Sequence, residues 1–237
     1  MNHSPLTPAF GALVEDLPLA DLQPAQLRQL YELWQRCHLL LLRGGTGSRD
    51  AFEGFASRLG EIDALADQSV GETAWGAELP AVRRPPFACM LRAIEAPVHG
   101  GAMWFASLPA ALRSIAPDLV ARLRWLSIAH GDTHHPLVVM HPETGEPSLF
   151  LGERAGARIV GLDPAESERL LNILWSYATA TSVTLVHRWQ PGDVVLWNNL
   201  TVMHRHEPLP PGIVRRLQHV RFKGRYTLSA PIQTEAA

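Results

Sequence analysis

The sequence predicts an α+β fold that is mainly β, a closed or double-layered sheet with helices packed outside it. Two observations carry that expectation. Beyond Pro85-Pro86 the chain breaks into short strand-like pieces separated by glycine- and proline-bearing turns. Before that point, apolar residues recur at helical spacing in two stretches. With 237 residues, 46% of them hydrophobic and 19% charged, the chain is long enough for one sizeable core and is read as one domain, residues 1–237.

Taken in order, residues 24–37 place Leu27, Leu30, Tyr31 and Trp34 on one helical face, with Pro24 suited to the first turn. The run 38–43 reads as a buried strand closed by Gly44-Gly45. A second helix follows Ser48 as N-cap, with Phe52, Phe55 and Leu59 inward. The stretch from Ile62 to Val82 shows little periodicity. Strands are expected at 87–94, 137–141, 148–151, 183–189, 194–197 and 216–222. One helix is expected near Leu108–Arg124 and another from Asp163-Pro164, where Glu166 completes a capping box. Trp75, Trp104, Trp125, Trp175, Trp189 and Trp197 are read as core or cavity-wall aromatics.

Composition narrows the function. A net charge of -2, with no run of Lys and Arg, argues against a nucleic-acid partner. The longest apolar run, Leu39 to Leu42, is too short to span a bilayer, and no basic-then-apolar leader opens the chain, so a cytoplasmic protein without a membrane partner is expected. Two cysteines, Cys37 and Cys89, form no disulfide framework or zinc site and are read as small hydrophobes.

The order of motifs resembles the taurine dioxygenase (TauD/TfdA) family of Fe(II)- and 2-oxoglutarate-dependent oxygenases. The similarity runs from the 21–45 and 55–62 stretches through Trp75 to Pro86 and Gly100-Gly101. It continues through 135–151, 158–175 and 187–199 to His204 and Arg215-Arg216. The resemblance implies a double-stranded β-helix, the jelly-roll or cupin-like core, with flanking helices. It also implies a metal held by two histidines and one carboxylate, with an arginine gripping the far carboxylate of 2-oxoglutarate.

Residue by residue, that carry-over breaks at its centre. Gly76 stands where the first metal histidine belongs and has no donor atom. Glu78 stands at the carboxylate position, its extra methylene moving the oxygens by about an ångström. His204 matches the distal metal histidine. Arg216 matches the co-substrate arginine, with Arg215 the alternative because the loop before it is one residue longer. Met103 replaces a threonine and Asn198 an aspartate, so Trp75, Gly76, Met103 and Asn198 are taken as a remade pocket. Two shortened loops, before Trp75-Gly76-Ala77-Glu78 and at 130–135, imply an open pocket, or one covered by a partner protein or a second copy of the chain. His135 and His141 are not counted as ligands.

Three functions follow. The first is a redirected enzyme on a carboxylated metabolite, in which Arg216 or Arg215 binds the carboxylate while Glu78 and His204 act as acid and base, with no metal cofactor. The second is a non-canonical Fe(II)/2-oxoglutarate dioxygenase whose site is rebuilt from Glu78, His204 and His206, the last two on one face of an extended strand. The third is a non-catalytic homologue that binds a metabolite or a partner. Against all three stand the plainer readings of Glu78 as a solvated loop residue and His204 as a structural histidine.

Overall fold

The computed structural model describes residues 1–44, 47–68 and 72–231. Gly45 of the expected closing pair therefore lies outside the described residues. The N-terminal third contains β1 (His3–Pro5), β2 (Ala12–Glu15), α1 (Pro24–Cys37), β3 (Leu39–Arg43), α2 (Arg49–Leu59) and β4 (Ile62–Gln68). The middle holds β5 (Ala88–Glu95), β6 (Met103–Ser107), α3 (Leu108–Ser114), α4 (Pro117–Leu123), β7 (Ser127–His130) and β8 (Thr133–Pro136). The remainder is β9 (Val138–Met140), β10 (Pro147–Leu149), β11 (Ala157–Ile159), α5 (Pro164–Ala178), β12 (Thr184–His187), β13 (Val194–Asn198), β14 (Val202–His206) and β15 (Arg216–Phe222).

A seven-stranded sheet runs β1-β2-β3-β13-β5-β15-β4, and a three-stranded sheet runs β12-β6-β14. Leu39 and Leu41 of β3 pack with Cys89, Phe105, Val195 and Trp197 between these sheets. The alternate residues Leu40 and Leu42 join Leu30, Trp34, Phe52 and Phe55 beneath α1 and α2. Strand β3 is therefore apolar on both faces, which explains why its sequence is an unbroken leucine run. This is the expected jelly-roll with helices outside it. No helix among the described residues is long and apolar enough to cross a membrane.

Several expectations are corrected. The helix expected over 108–124 is two helices, because Pro117 forces the preceding backbone out of the helical region: Ile115 and Ala116 have ψ of 142° and 138°. The unpatterned stretch after Ile62 begins with β4, which pairs along β15 and gains order from that partner rather than from its own periodicity. Asp163 does cap α5, accepting from the N–H groups of Ala165 and Glu166, but Glu166 turns its carboxylate to Arg122 instead of closing a reciprocal box. Trp125 is 71% exposed, so it is no core aromatic.

An ion pair between a half-buried arginine and a buried aspartate joins β3 to the turn before β13. Arg43 donates from Nε and Nη2 to the two oxygens of Asp193 at 2.8 Å each, and the N–H of Gln190 adds a third bond at 3.0 Å. His187 Nε2 stands 3.3 Å from Asp193. Burial raises the carboxyl's proton affinity, but the hydrogen bonds from Arg43 and the Gln190 N–H, with His187 close by, outweigh it and leave Asp193 at about 2. That lies below the roughly 3.9 of an unfolded aspartate. The pair therefore stabilises the fold fully above about pH 4, and that stability is lost as pH falls toward about 2. Asp193→Asn should cost about 3 kcal/mol at neutral pH and should flatten the acid limb between those two values, as read from urea unfolding at stepped pH.

Candidate active site

The site is built on the edge of the three-stranded sheet. Strand β14 pairs with β6 on one side, and its other side takes up the 73–79 loop. Gly76 and His204 exchange both backbone bonds, N–H of Gly76 to the His204 carbonyl at 3.0 Å and N–H of His204 to the Gly76 carbonyl at 2.9 Å. One turn of chain earlier, the N–H of His206 donates to Thr73 Oγ1 at 2.8 Å, and the N–H of Thr73 to the His206 carbonyl at 3.1 Å. The loop is an added strand fragment, which is why a glycine with no side-chain donor still has a defined place.

Glu78 is held through its backbone. Its N–H donates to Asn199 Oδ1 at 2.8 Å, while Asn199 Nδ2 donates to the carbonyls of Glu78 and Pro86, both at 3.0 Å. Trp75 stacks on Arg205 at 5.5 Å, and the same guanidinium lies 4.8 Å from the Trp104 ring, so it is sandwiched between two indoles. Backbone pairing, an amide clamp and a cation–π stack together fix the loop.

These contacts surround a cavity of about 380 Å³ lined by the 73–79 loop, Glu153, Arg154, Ala155, His204 and His206. Glu78 Oε1 is 3.9 Å from His204 Nε2, and its other oxygen is 3.8 Å from Arg221. Burial raises the proton affinity of Glu78, Arg221 opposes it, and Glu153 adds to it. His204 is lowered to about 3 by burial and then by the nearby His219. His206 is lowered to about 2 by burial, then by His204, Arg215 and His219, and His219 itself to about 4 by burial and then Arg221. All three imidazoles are therefore neutral at physiological pH.

The structure brings Trp75, Gly76, Glu78, His204 and His206 together and sends the other expected residues elsewhere. Arg216 is half-exposed on the outer face and pairs with Glu95 at 2.8 Å, so the expectation that it points inward is overturned. Arg215 is the buried one, donating from Nη1 to the Gly101 carbonyl at 2.6 Å. The register explains the swap, since successive residues entering a strand face opposite sides. Asn198 is not a pocket residue: its amide meets His141 Nε2 at 2.7 Å, and its oxygen accepts from the Leu200 N–H in the β13–β14 turn. Met103 sits in the apolar layer between the sheets, opposite His206 in register but outside the cavity wall. His204 has a proton affinity too low for the general base expected of it. Asn199, Glu153, Arg221 and His219 were given no role by the sequence, and only Asn199, inside the 187–199 motif, left a sequence signal.

A three-ligand metal centre is not assembled from these residues. Glu78 and His204 keep suitable donor types, but Gly76 supplies none, and among the described residues no three His, Cys, Asp or Glu side chains are grouped to hold an ion.

Comparison with known proteins decides the lineage. The family model described as "Taurine catabolism dioxygenase TauD, TfdA family" matches residues 63–221. The chain belongs to the TauD/TfdA family. Among its relatives is the (S)-phenoxypropionate/alpha-ketoglutarate-dioxygenase of Sphingobium herbicidovorans, 30% identical over 93% of this chain and 94% of that protein. The alpha-ketoglutarate-dependent 2,4-dichlorophenoxyacetate dioxygenase of Cupriavidus pinatubonensis is 28% identical over 85% and 90%. A crystal structure of a taurine dioxygenase from Burkholderia xenovorans superposes with a TM-score of 0.89 at 26% identity, covering 97% of this TauD/TfdA chain and 91% of the other. The jelly-roll assignment is thereby secured.

Two variants test the placement of the arginines. Arg216→Ala should change the unfolding free energy by less than about 1 kcal/mol, as for an exposed pair, whereas Arg215→Ala should cost about 3 kcal/mol or more. Asn199→Ala should leave the Glu78 N–H and two carbonyls without their amide partner, costing roughly 2–4 kcal/mol. Hydrogen exchange should then show faster opening of the 73–79 loop.

Proposed function

We propose that this TauD/TfdA-family chain is an enzyme that holds a small carboxylated metabolite in the cavity between the 73–79 loop and β14. It works by proton transfer at Glu78 rather than through a three-ligand iron centre. The observation that carries the reading is the pairing of Glu78 with a neutral His204 at 3.9 Å, across from a position, Gly76, that offers no donor. Burial raises the proton affinity of this carboxyl, which suits it to take up a proton and give it back. Neutral His204 and His206 serve as hydrogen-bonding groups beside it. The carboxylate class is supported by the relatives named for phenoxypropionate and 2,4-dichlorophenoxyacetate. Arg215, the buried arginine of the 215–216 pair, lies close enough to lower the proton affinity of His206 on the cavity wall. A non-oxidative step such as cyclisation, elimination or hydrolysis fits this equipment.

A second reading, a non-canonical Fe(II)/2-oxoglutarate dioxygenase, is favoured by one observation. His204 and His206 line the same cavity with ring centroids 5.9 Å apart, and both are neutral, as metal ligands must be. In that reading His206 takes over from the missing histidine.

Anaerobic titration with Fe(II) and 2-oxoglutarate, followed by calorimetry, separates the two. Stoichiometric iron at micromolar affinity, lost in His206→Ala, would sink the proton-transfer reading and support the second. On the proposed reading no such iron uptake occurs, and Glu78→Gln lowers turnover of a responsive carboxylated substrate by about a hundredfold or more. His204→Gln should cost far less. Turnover that survives Glu78→Gln would instead make the pocket a binding site without chemistry.

A further inference from the structure

The space between the two sheets is not filled by the active cavity alone. Along β3, Leu39, Leu41 and Arg43 follow one another at the two-residue period of a strand and share its inward face. Val195 lies beside Leu41 in the same sheet, and Leu185 of β12 lies beside Phe105 in the other. Trp197 meets the Phe105 ring edge-on at 5.5 Å, and the His204 ring packs on that indole at 5.1 Å. These two aromatic rings divide the jelly-roll interior. His204 lines the active cavity on one side. On the other side a separate cleft of about 350 Å³ is walled by Leu6, Leu39, Leu41, Phe105, Leu185 and Val195, and it shares no lining residue with the first. Strand β12 is the edge of its sheet, bonded to β6 alone, so the cleft lies where the two sheets part.

Walls and rim differ in character. The walls are aliphatic and aromatic, and the volume falls within the roughly 300–1,000 Å³ of small-molecule sites. The charged residues that line the cleft are Arg43 and Arg188, and no acidic side chain lines it. Arg43 is already matched: it holds Asp193, and Glu15, its neighbour on β2, acts on it as well. Arg188 is different. It is exposed, and its side chain makes no hydrogen bond or ion pair among the described residues. A guanidinium presents its N–H groups as a fork that fits a carboxylate. An apolar slot bordered by one such unmatched cation complements a molecule with an apolar body and a single anionic end.

We propose that this cleft is a second binding site, separate from the active cavity, for an anionic amphiphile of the medium-chain fatty-acid class, with its chain between the sheets and its carboxylate at Arg188. The test is isothermal titration of the full chain at low salt with octanoate, with octylamine, which reverses the charge, and with propionate, which keeps the charge and lacks the chain. All three are used below the concentrations at which they aggregate. Octanoate should bind at least about tenfold more tightly than either of the others. Arg188→Gln should erase most of the preference over octylamine, and Arg188→Lys should keep part of it. Leu185→Trp, which fills the slot from a half-buried position, should abolish octanoate binding. Melting curves by circular dichroism check that the variants are folded. Because Arg188 is exposed, its two variants decide the matter even if Leu185→Trp does not fold. The proposal is overturned if octanoate does not bind, if octylamine or propionate binds equally well, or if the preference for octanoate survives in Arg188→Gln. Octanoate that binds a folded Leu185→Trp undiminished would also overturn it, by placing the molecule in the active cavity. No step here uses Glu78, so a failure of the proton-transfer reading leaves this outcome intact.

Discussion

The site depends on one backbone pairing, the two hydrogen bonds between Gly76 and His204. They convert an irregular connection into the outer edge of a sheet, and an edge strand places alternate side chains with little freedom. Because residue 76 pairs opposite 204, Glu78 reaches the face on which His204 and His206 project. A glycine at position 76 therefore keeps a defined place in the site, and Asn199 reinforces it by binding the peptide groups of Glu78 rather than its carboxylate.

Burial then sets the chemistry. Enclosed in the jelly-roll, the three histidines lose their protons because a desolvated imidazolium is costly, while the same desolvation makes Glu78 hold its proton more readily. One physical cause thus moves the imidazoles and the carboxyl in opposite directions, lowering the proton affinity of the first and raising that of the second. This is why the division of labour expected from residue types alone, with histidine as base, does not match the geometry.

The fold was legible in the sequence where local rules governed it. The leucine run of β3, the proline at the start of α1, Ser48 and Asp163 as N-caps, and β15 all lie where pattern and capping chemistry place them. Strands β4 and β14 were not legible, because their order comes from partners distant in sequence. At the site, Glu78, His204 and Gly76 could be read from motif order. The choice between Arg215 and Arg216 could not, since it turns on a one-residue register that spacing leaves open. Glu153 was out of reach altogether: its approach depends on Gly152 passing between His130 and Pro80, a contact between three separate segments.

The stacking of Arg205 between Trp75 and Trp104 has a consequence for how the pocket responds to its surroundings. The loop is anchored by backbone bonds, an amide and a guanidinium shielded between aromatic faces, all of them short-ranged. The field on Glu78 instead comes from Arg221, which is shared with the partly exposed Asp63 and is open to screening by ions. Salt can therefore alter the acidity of the carboxyl while leaving its position unchanged. Shape and charge in this cavity are controlled by separate parts of the protein.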